Sequence, residues 1–179
     1  MKWKNLILPA GFLAVSVAVL FGISALLAPV EAENKAKDRL EVMGLLLPGS
    51  QTFEEEAYEG EDSNISRVYR SESGCVMETI VNGYVDEITL LVGVDNSGKV
   101  TGVLVEDMNE TWGLGRRAMT DQDFLSQLIG TDGEATVGED VDALTGATVT
   151  SKAVVKAVNS AAAYMTGADV SSSATEWGG

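Results

Sequence analysis

Residues 88–105 read Ile-Thr-Leu-Leu-Val-Gly-Val-Asp-Asn-Ser-Gly-Lys-Val-Thr-Gly-Val-Leu-Val. Valine, isoleucine, threonine and leucine fill both halves, and Asp95-Asn96-Ser97-Gly98 lies between them. Branched side chains of this kind favour strands, whereas Asp, Asn, Ser and Gly are the residues that tight turns use. The stretch therefore predicts a β-hairpin.

Two further strand signals precede the hairpin. Arg67-Val68-Tyr69 is short, and residues 74–81 are rich in β-formers. Together with the hairpin they predict an antiparallel sheet of about three or four strands. The Glu-rich residues 51–64 are predicted to be an exposed loop.

Helical signals follow the sheet, so the fold class predicted is α+β. Thr120 is expected to cap a short helix over residues 121–129, and residues 130–140 are expected to form a loop. Residues 151–165 predict a long helix that is capped by Thr150 or Ser151 and stopped by Gly167. Its expected buried stripe recurs at helical spacing: Val154, Val155, Val158 and Ala162.

The N-terminus predicts a membrane anchor. Lys2 and Lys4 precede residues 5–30, which carry no charge and suffice for one transmembrane helix. Positive residues before the apolar run and acidic ones after it place the N-terminus in the cytoplasm and the rest outside the cell membrane. A cleaved signal peptide is the alternative, and it also predicts export.

The domain organisation predicted from these signals has four parts. Residues 1–30 form the cytoplasmic tip and anchor, and residues 31–48 a helical stalk that Gly44 and then Pro48-Gly49 end. Residues 49–167 form the exported domain, and residues 168–179 are expected to be a disordered tail.

Composition excludes several kinds of function. The chain has 179 residues and a formal net charge of −15, which disfavours binding to nucleic acid. It contains no histidine and only one cysteine, Cys75, so haem attachment, cysteine-ligated iron–sulfur clusters, Cys/His zinc sites and His-dependent catalytic triads are excluded within this chain. We expect Cys75 to be a small buried hydrophobic residue. Any electron carrier must therefore be an added cofactor.

Residues 145–151 read Thr-Gly-Ala-Thr-Val-Thr-Ser and come immediately before the long predicted helix. The first turn of a helix offers free backbone N–H groups and partial positive charge, which suit a phosphate. The residues alone also fit a simpler interpretation, in which the hydroxyls only cap the helix and Gly146 allows the turn. A threonine hydroxyl is a weak nucleophile, so modification of Thr148 would require another enzyme.

Residues 142–148, Asp-Ala-Leu-Thr-Gly-Ala-Thr, resemble the flavinylation motif Asp-x-x-(Ser/Thr)-Gly-Ala-Thr of the FMN-binding domain family. That family includes the G subunit of the Rnf ion-translocating oxidoreductase and the related C subunit of sodium-translocating NADH:quinone reductase. The resemblance implies that a flavin transferase moves one FMN from FAD onto Thr148, the last residue of the motif. It extends to residues 149–155, to Leu47-Pro48-Gly49 and to Gly83-Tyr84.

A second motif of the family lies after the hairpin. Glu110-Thr111-Trp112-Gly113-Leu114-Gly115 is similar to a Glu-Thr-Pro-Gly-Leu-Gly loop that lies against the flavin ring. Here Trp112 replaces the proline, the usual nearby histidine is missing, and Val85-Asp86 stand where Gly-Gly is common. Trp112 is either a stacking surface for the isoalloxazine or a partly buried loop anchor. The resemblance implies that Glu110 hydrogen-bonds the flavin, with solvent exposure as the alternative.

The cofactor-binding residues that these motifs imply are Thr148 as the covalent attachment point, with Thr145, Gly146, Ala147, Thr150, Ser151, Glu110, Thr111, Trp112, Gly113 and Leu114 around the cofactor; no metal site and no catalytic residue are expected. The resemblance implies an electron-carrying subunit, without catalysis of its own, among other membrane subunits of an Rnf-type complex acting between ferredoxin and NAD. A standalone membrane-anchored FMN protein for extracytoplasmic electron transfer is the alternative. A non-redox assembly module that has kept the fold is a third interpretation.

Overall fold

The computed structural model describes residue 34 and residues 36–108 and 121–167. The chain divides between Glu41 and Val42 into two units. The described residues of the first unit are helical. The second unit contains the rest of that helix, residues 42–46, and all the elements described below. We call residues 36–46 helix α1.

The second unit is built on a five-stranded antiparallel sheet whose spatial order follows the chain, β1-β2-β3-β4-β5. Its strands are β1 (Glu54–Glu56), β2 (Ile65–Ser71), β3 (Gly74–Asn82), β4 (Glu87–Asp95) and β5 (Val100–Met108). The α+β prediction is confirmed, but the strand count was too low. The missed strand is β1, an exposed edge strand of three glutamates inside the segment predicted to be loop. Glutamate disfavours strands, so pairing with β2 overrides the local signal there.

The predicted hairpin joins β4 to β5. One carboxylate oxygen of Asp95 accepts hydrogen bonds from the Ser97 hydroxyl at 2.6 Å, the Ser97 N–H at 2.8 Å and the Lys99 N–H at 3.0 Å. These bonds stabilise the charged carboxylate and so lower the pKa of Asp95, with the Ser97 hydroxyl making the largest contribution. Gly98 closes the turn at φ +84, a conformation that favours glycine.

Helices α2 (Gln122–Ser126) and α3 (Thr148–Thr166) follow the sheet. Asp121, not Thr120, is the N-cap of α2, because its carboxylate accepts from the N–H groups of Asp123 and Phe124. Thr120 itself lies outside the described residues. Gly167 ends α3 at φ +70, as predicted.

Helix α3 packs on one face of the sheet. The predicted stripe is confirmed, and burial is wider than predicted because Ala and Ser complete the buried surface: Ala153, Ala157, Ser160, Ala161 and Ala163 are also buried. Of these, Ala153, Ala157 and Ala161 belong to a hydrophobic core with Cys75, Met77, Ile88, Leu90 and Val92 of the sheet. Cys75 is fully buried, as expected, and burial raises the pKa of its thiol.

The opposite face of the sheet is covered by the end of α1. Gly44 lies inside this helix and does not end it, contrary to prediction. Met43, Leu46 and Leu47 pack against Tyr69, Val76 and Leu91. The Leu46 carbonyl accepts a hydrogen bond from the Thr101 hydroxyl at 2.5 Å. Leu46 rests on two glycines that pair across the strands, Gly93 and Gly102.

The predicted anchor, residues 1–30, and the predicted tail, residues 168–179, lie outside the described residues. Within the described ranges, no helix has the length and apolar character needed to span a membrane.

Gly93→Ala should lower the free energy of unfolding by about 2 kcal/mol, the range for an overpacked core. A Cβ at Gly93 would overlap the Leu46 carbonyl oxygen, which belongs to the backbone and cannot rotate away. Gly44→Ala is the matched control, because its new methyl group meets only the Ser50 carbonyl oxygen at 3.6 Å and alanine favours a helix interior. Urea unfolding followed by circular dichroism measures both. Equal stability of the two variants would contradict this packing.

Candidate functional site

The Thr-Gly-Ala-Thr segment forms a tight turn immediately before helix α3. The Ala147 N–H donates to the Leu144 carbonyl at 2.9 Å and closes the turn around Thr145 and Gly146. Gly146 adopts φ +81 at the third turn position, as in a type II turn. Glycine is therefore required here by backbone conformation. Gly146 itself is exposed, whereas Ala147 is buried.

Helix α3 begins at Thr148, and no side chain caps it. The N-cap residue is Ala147, at φ −128, and it makes no side-chain capping hydrogen bond. The prediction that Thr150 or Ser151 caps this helix is therefore wrong, since both lie within its first turn. The turn at Gly146 starts the helix about one turn earlier than the side-chain signals suggested. Its first N–H groups thus have no side-chain cap, and this leaves them available for an anion.

The four hydroxyls of the segment divide into two pairs. Thr145 and Thr148 are exposed, whereas Thr150 is 2% and Ser151 0% exposed. Only the exposed pair is accessible to another enzyme. Of these two, Thr148 lies on the helix and Thr145 lies in the turn.

Ser151 ties the turn to the helix. Its hydroxyl donates to the Ala147 carbonyl at 2.9 Å and accepts from the Leu144 N–H at 3.2 Å. The Ser151 N–H also donates to the Ala147 carbonyl, at 2.8 Å. One buried side chain thus holds both ends of the turn.

Two further contacts position the segment. The Asp142 N–H donates to Oε1 of Gln127, just past α2, at 2.8 Å. Asn159 lies fully buried in α3 and holds the loop before the segment, since its Nδ2 donates to the Ala135 carbonyl at 2.8 Å and its Oδ1 accepts from the Ala135 N–H at 3.2 Å. The motif is therefore tied to both flanking helices.

The local charge around Thr148 is favourable for an anion. The first turn of α3 contains no acidic residue. Lys152 is exposed four residues after Thr148, which places it on the same side of the helix. In a chain with net charge −15, this helix start is a locally positive position.

These features fit the phosphate of a flavin mononucleotide. The helix start combines an accessible hydroxyl, N–H groups without a side-chain cap and a lysine one turn later, and such groups can bind a phosphate. By contrast, the described residues contain no cluster of three or more Cys, Asp or Glu side chains that could hold a metal ion.

Comparison with known proteins agrees with this geometry. The FMN-binding domain family matches residues 83–163. The chain is 30% identical over 175 residues to the G subunit of the proton-translocating ferredoxin:NAD(+) oxidoreductase complex of Clostridium ljungdahlii, and the match covers 91% of this chain and 89% of that protein. The chain belongs to the FMN-binding domain family, among relatives of such G subunits.

Shorter matches agree with this assignment. The chain is 35% identical over 86 residues to the G subunit of the Na(+)-translocating ferredoxin:NAD(+) oxidoreductase complex of Acetobacterium woodii, covering 44% of this chain and 42% of that protein. It is 38% identical over 100 residues to the G subunit of an ion-translocating oxidoreductase complex of Photorhabdus laumondii, covering 49% and 46%. The family resemblance inferred from the motifs is confirmed.

The loop predicted to hold the flavin ring falls within the family match but outside the described residues. The family match includes this loop, which falls between the end of β5 at Met108 and Asp121, the N-cap of α2: Glu110, Thr111, Trp112, Gly113 and Leu114. Their contacts with the FMN ring therefore stay predictions of the family resemblance.

Sequence reasoning missed the roles of Asn159 and Lys152. Asn159 interrupts a run of Ala and Val on a buried helix, and a buried amide requires hydrogen-bond partners. That interruption is a signal that the helix holds a neighbouring loop. Lys152 follows shortly after the motif in the sequence. Its place on the same side of the helix as Thr148 became evident only from the helix start that the structure shows.

Gly146→Ala should accelerate amide exchange of Ala147, whose N–H closes the turn, because alanine at positive φ is strained by about 1 kcal/mol. Gly138→Ala is the matched control, since Gly138 has φ +94 and open space around it. Both variants should lose similar stability, but only Gly146→Ala should change exchange at Ala147. Hydrogen exchange by NMR measures this. Unchanged exchange at Ala147 in Gly146→Ala would contradict the turn.

Proposed function

We propose that this protein is an electron-carrying flavoprotein subunit of a membrane-bound, ion-translocating ferredoxin:NAD oxidoreductase complex, with one FMN joined through its phosphate to Thr148. The observation that carries the proposal is the exposed hydroxyl of Thr148 on the first residue of a helix that no side chain caps. The near full-length match to a G subunit supports the place in a complex.

The attachment is a phosphoryl transfer to this hydroxyl. The Thr148 oxygen forms a bond to the FMN phosphorus of FAD, the anhydride bond to the adenylate breaks, and AMP leaves with the bonding electron pair. The hydroxyl proton goes to a base of the flavin transferase, because a threonine hydroxyl is a weak nucleophile that must be activated. The chain supplies an acceptor, and the transferase supplies the activation.

Residues of this chain then hold the attached FMN. The first-turn N–H groups and Lys152 bind the phosphate charge, while Thr145, Gly146 and Ala147 shape the turn beside it. Thr150 and Ser151 are buried, so we assign them to supporting the helix start from within. The loop Glu110, Thr111, Trp112, Gly113 and Leu114 is proposed to hold the flavin ring.

FMN, when bound, supplies the one- and two-electron chemistry that the amino acids of this chain lack. The protein supplies position and electrostatics and performs no catalysis of its own. A covalent bond keeps the cofactor from diffusing away, which suits an exported domain.

The proposed location is the cell membrane, with residues 1–30 as a single-pass anchor, the N-terminus in the cytoplasm and the FMN domain outside. The proposed partners are the other membrane subunits of the complex and, during maturation, a flavin transferase. Because 91% of the chain aligns with a G subunit, we favour this function over a standalone FMN protein.

Thr148→Ala should abolish covalent FMN when the full chain is expressed with a flavin transferase. The wild-type protein should gain the mass of one FMN less one water and fluoresce on a denaturing gel. Thr145→Ala is the matched control, since it removes the other exposed hydroxyl of the segment and should leave the FMN in place. Covalent FMN retained in Thr148→Ala would move the attachment to another residue.

Lys152→Glu should reduce the stability that the FMN phosphate gives to the chain. We expect the gain in melting temperature on FMN loading to fall by about 2–4 °C, which corresponds to about 1 kcal/mol at a helix N-terminus. Lys99→Glu is the control, because Lys99 lies in the β4–β5 turn. This substitution should lower the melting temperature of the FMN-loaded and the unloaded chain by the same amount. Differential scanning calorimetry of each protein with and without FMN measures the gain. If the gain in melting temperature on FMN loading fell equally in both variants, a specific role for Lys152 would be refuted.

A further inference from the structure

We infer that Ser151 is a positioning residue for the transfer of FMN to Thr148, which it holds in place through the turn and without touching the cofactor. This inference rests on the proposed function, because it assigns a role within that same site. It follows from the two hydrogen bonds that the Ser151 hydroxyl makes across the turn.

The Ser151 hydroxyl is directed into the protein and away from any incoming group. Ser151 is 0% exposed, so its oxygen is inaccessible to a flavin transferase or to FMN. Its donor and acceptor functions are both used, one on the Ala147 carbonyl and one on the Leu144 N–H. Both bonds go to backbone atoms of the turn, so the hydroxyl can orient the turn without contacting the cofactor.

The two atoms that Ser151 contacts enclose the turn that leads to Thr148. The Leu144 N–H lies just before the turn, and the Ala147 carbonyl belongs to the N-cap residue, directly before Thr148. Without this link, the absence of a side-chain cap leaves the first turn of α3 free to fray. The hydroxyl of Thr148 and the N–H groups around it would then lose their common orientation.

Alignment of the acceptor affects the transfer step more than the binding of FAD. A transferase must place the Thr148 oxygen in line with the FMN phosphorus, and small displacements of a reacting group reduce rates strongly. Ser151 should therefore influence kcat for this acceptor, while KM for FAD should not change.

The test uses the full chain as the acceptor for a purified flavin transferase and FAD. Ser151→Ala removes both hydrogen bonds and should lower kcat by at least about fivefold, the population change expected for the loss of even one hydrogen bond of ordinary net strength, with KM for FAD unchanged. Ser151→Thr restores a hydroxyl and should recover most of the rate. Alanine favours the helix, so the fold should remain.

Ser160→Ala is the matched control for loss of a buried serine. Ser160 lies on the same helix, is 0% exposed and accepts one hydrogen bond from Asn64 Nδ2 at 3.0 Å. This variant should unfold at a lower temperature than wild type and still accept FMN at the wild-type rate. Amide exchange at Leu144 provides a second readout that needs no transferase, and it should accelerate in Ser151→Ala but not in Ser160→Ala.

The outcomes distinguish the positioning role of Ser151 from the proposed attachment of FMN to Thr148. A wild-type rate in Ser151→Ala, or an equal loss of rate in Ser160→Ala, overturns the positioning role while leaving Thr148 as the acceptor. Unchanged exchange at Leu144 in Ser151→Ala overturns it as well. If the wild-type chain accepts no FMN, the proposed function fails, and the exchange experiment still tests the link between Ser151 and the turn.

Discussion

The packing of helix α3 against the sheet is the constraint on which the rest of the site depends. Small buried residues, Ala153, Ala157 and Ala161 among them, allow this helix to lie close to strands that supply valine, isoleucine and leucine. Asn159 and Ser160 on the same helix hold the Ala135 loop and Asn64. This packing fixes the helix from Thr150 onward, so only its first residues, which begin with Thr148, depend on the turn and on Ser151 for their position.

A rigid helix start in an acidic chain has a specific electrostatic consequence. The chain carries a net charge of −15, which would repel a phosphate in general. At the start of α3, the first turn has no acidic residue and no side-chain cap, and Lys152 follows one turn later. An anion is thus favoured at this position by the first-turn N–H groups and Lys152, because salt screens these local interactions less than it screens distant charges.

Much of the fold could be predicted from local sequence, because short-range hydrogen bonds and backbone preferences determine its turns. Asp95 and Gly98 specify their turn by short-range bonds and backbone preference, so the hairpin was predicted and confirmed. The edge strand β1 was missed because glutamate disfavours strands, and Glu54–Glu56 adopt this conformation by pairing with β2. Thr148 was predicted as the attachment point from the motif and stays a prediction, whereas the start of α3 was misplaced because burial of Thr150 and Ser151 is a tertiary property. The role of Ser151 depends on Leu144, seven residues away, and no local pattern reports that contact.

The central claim is that the chain carries its own redox group through one phosphoester bond. Intact-mass analysis of the protein isolated from its native membrane tests this directly, followed by peptide mapping of the modified residue. We expect a mass equal to the polypeptide plus one FMN less one water, with the added mass on the peptide that contains Thr148. A mass equal to the polypeptide alone would contradict it, because the chain would then have no electron carrier of its own.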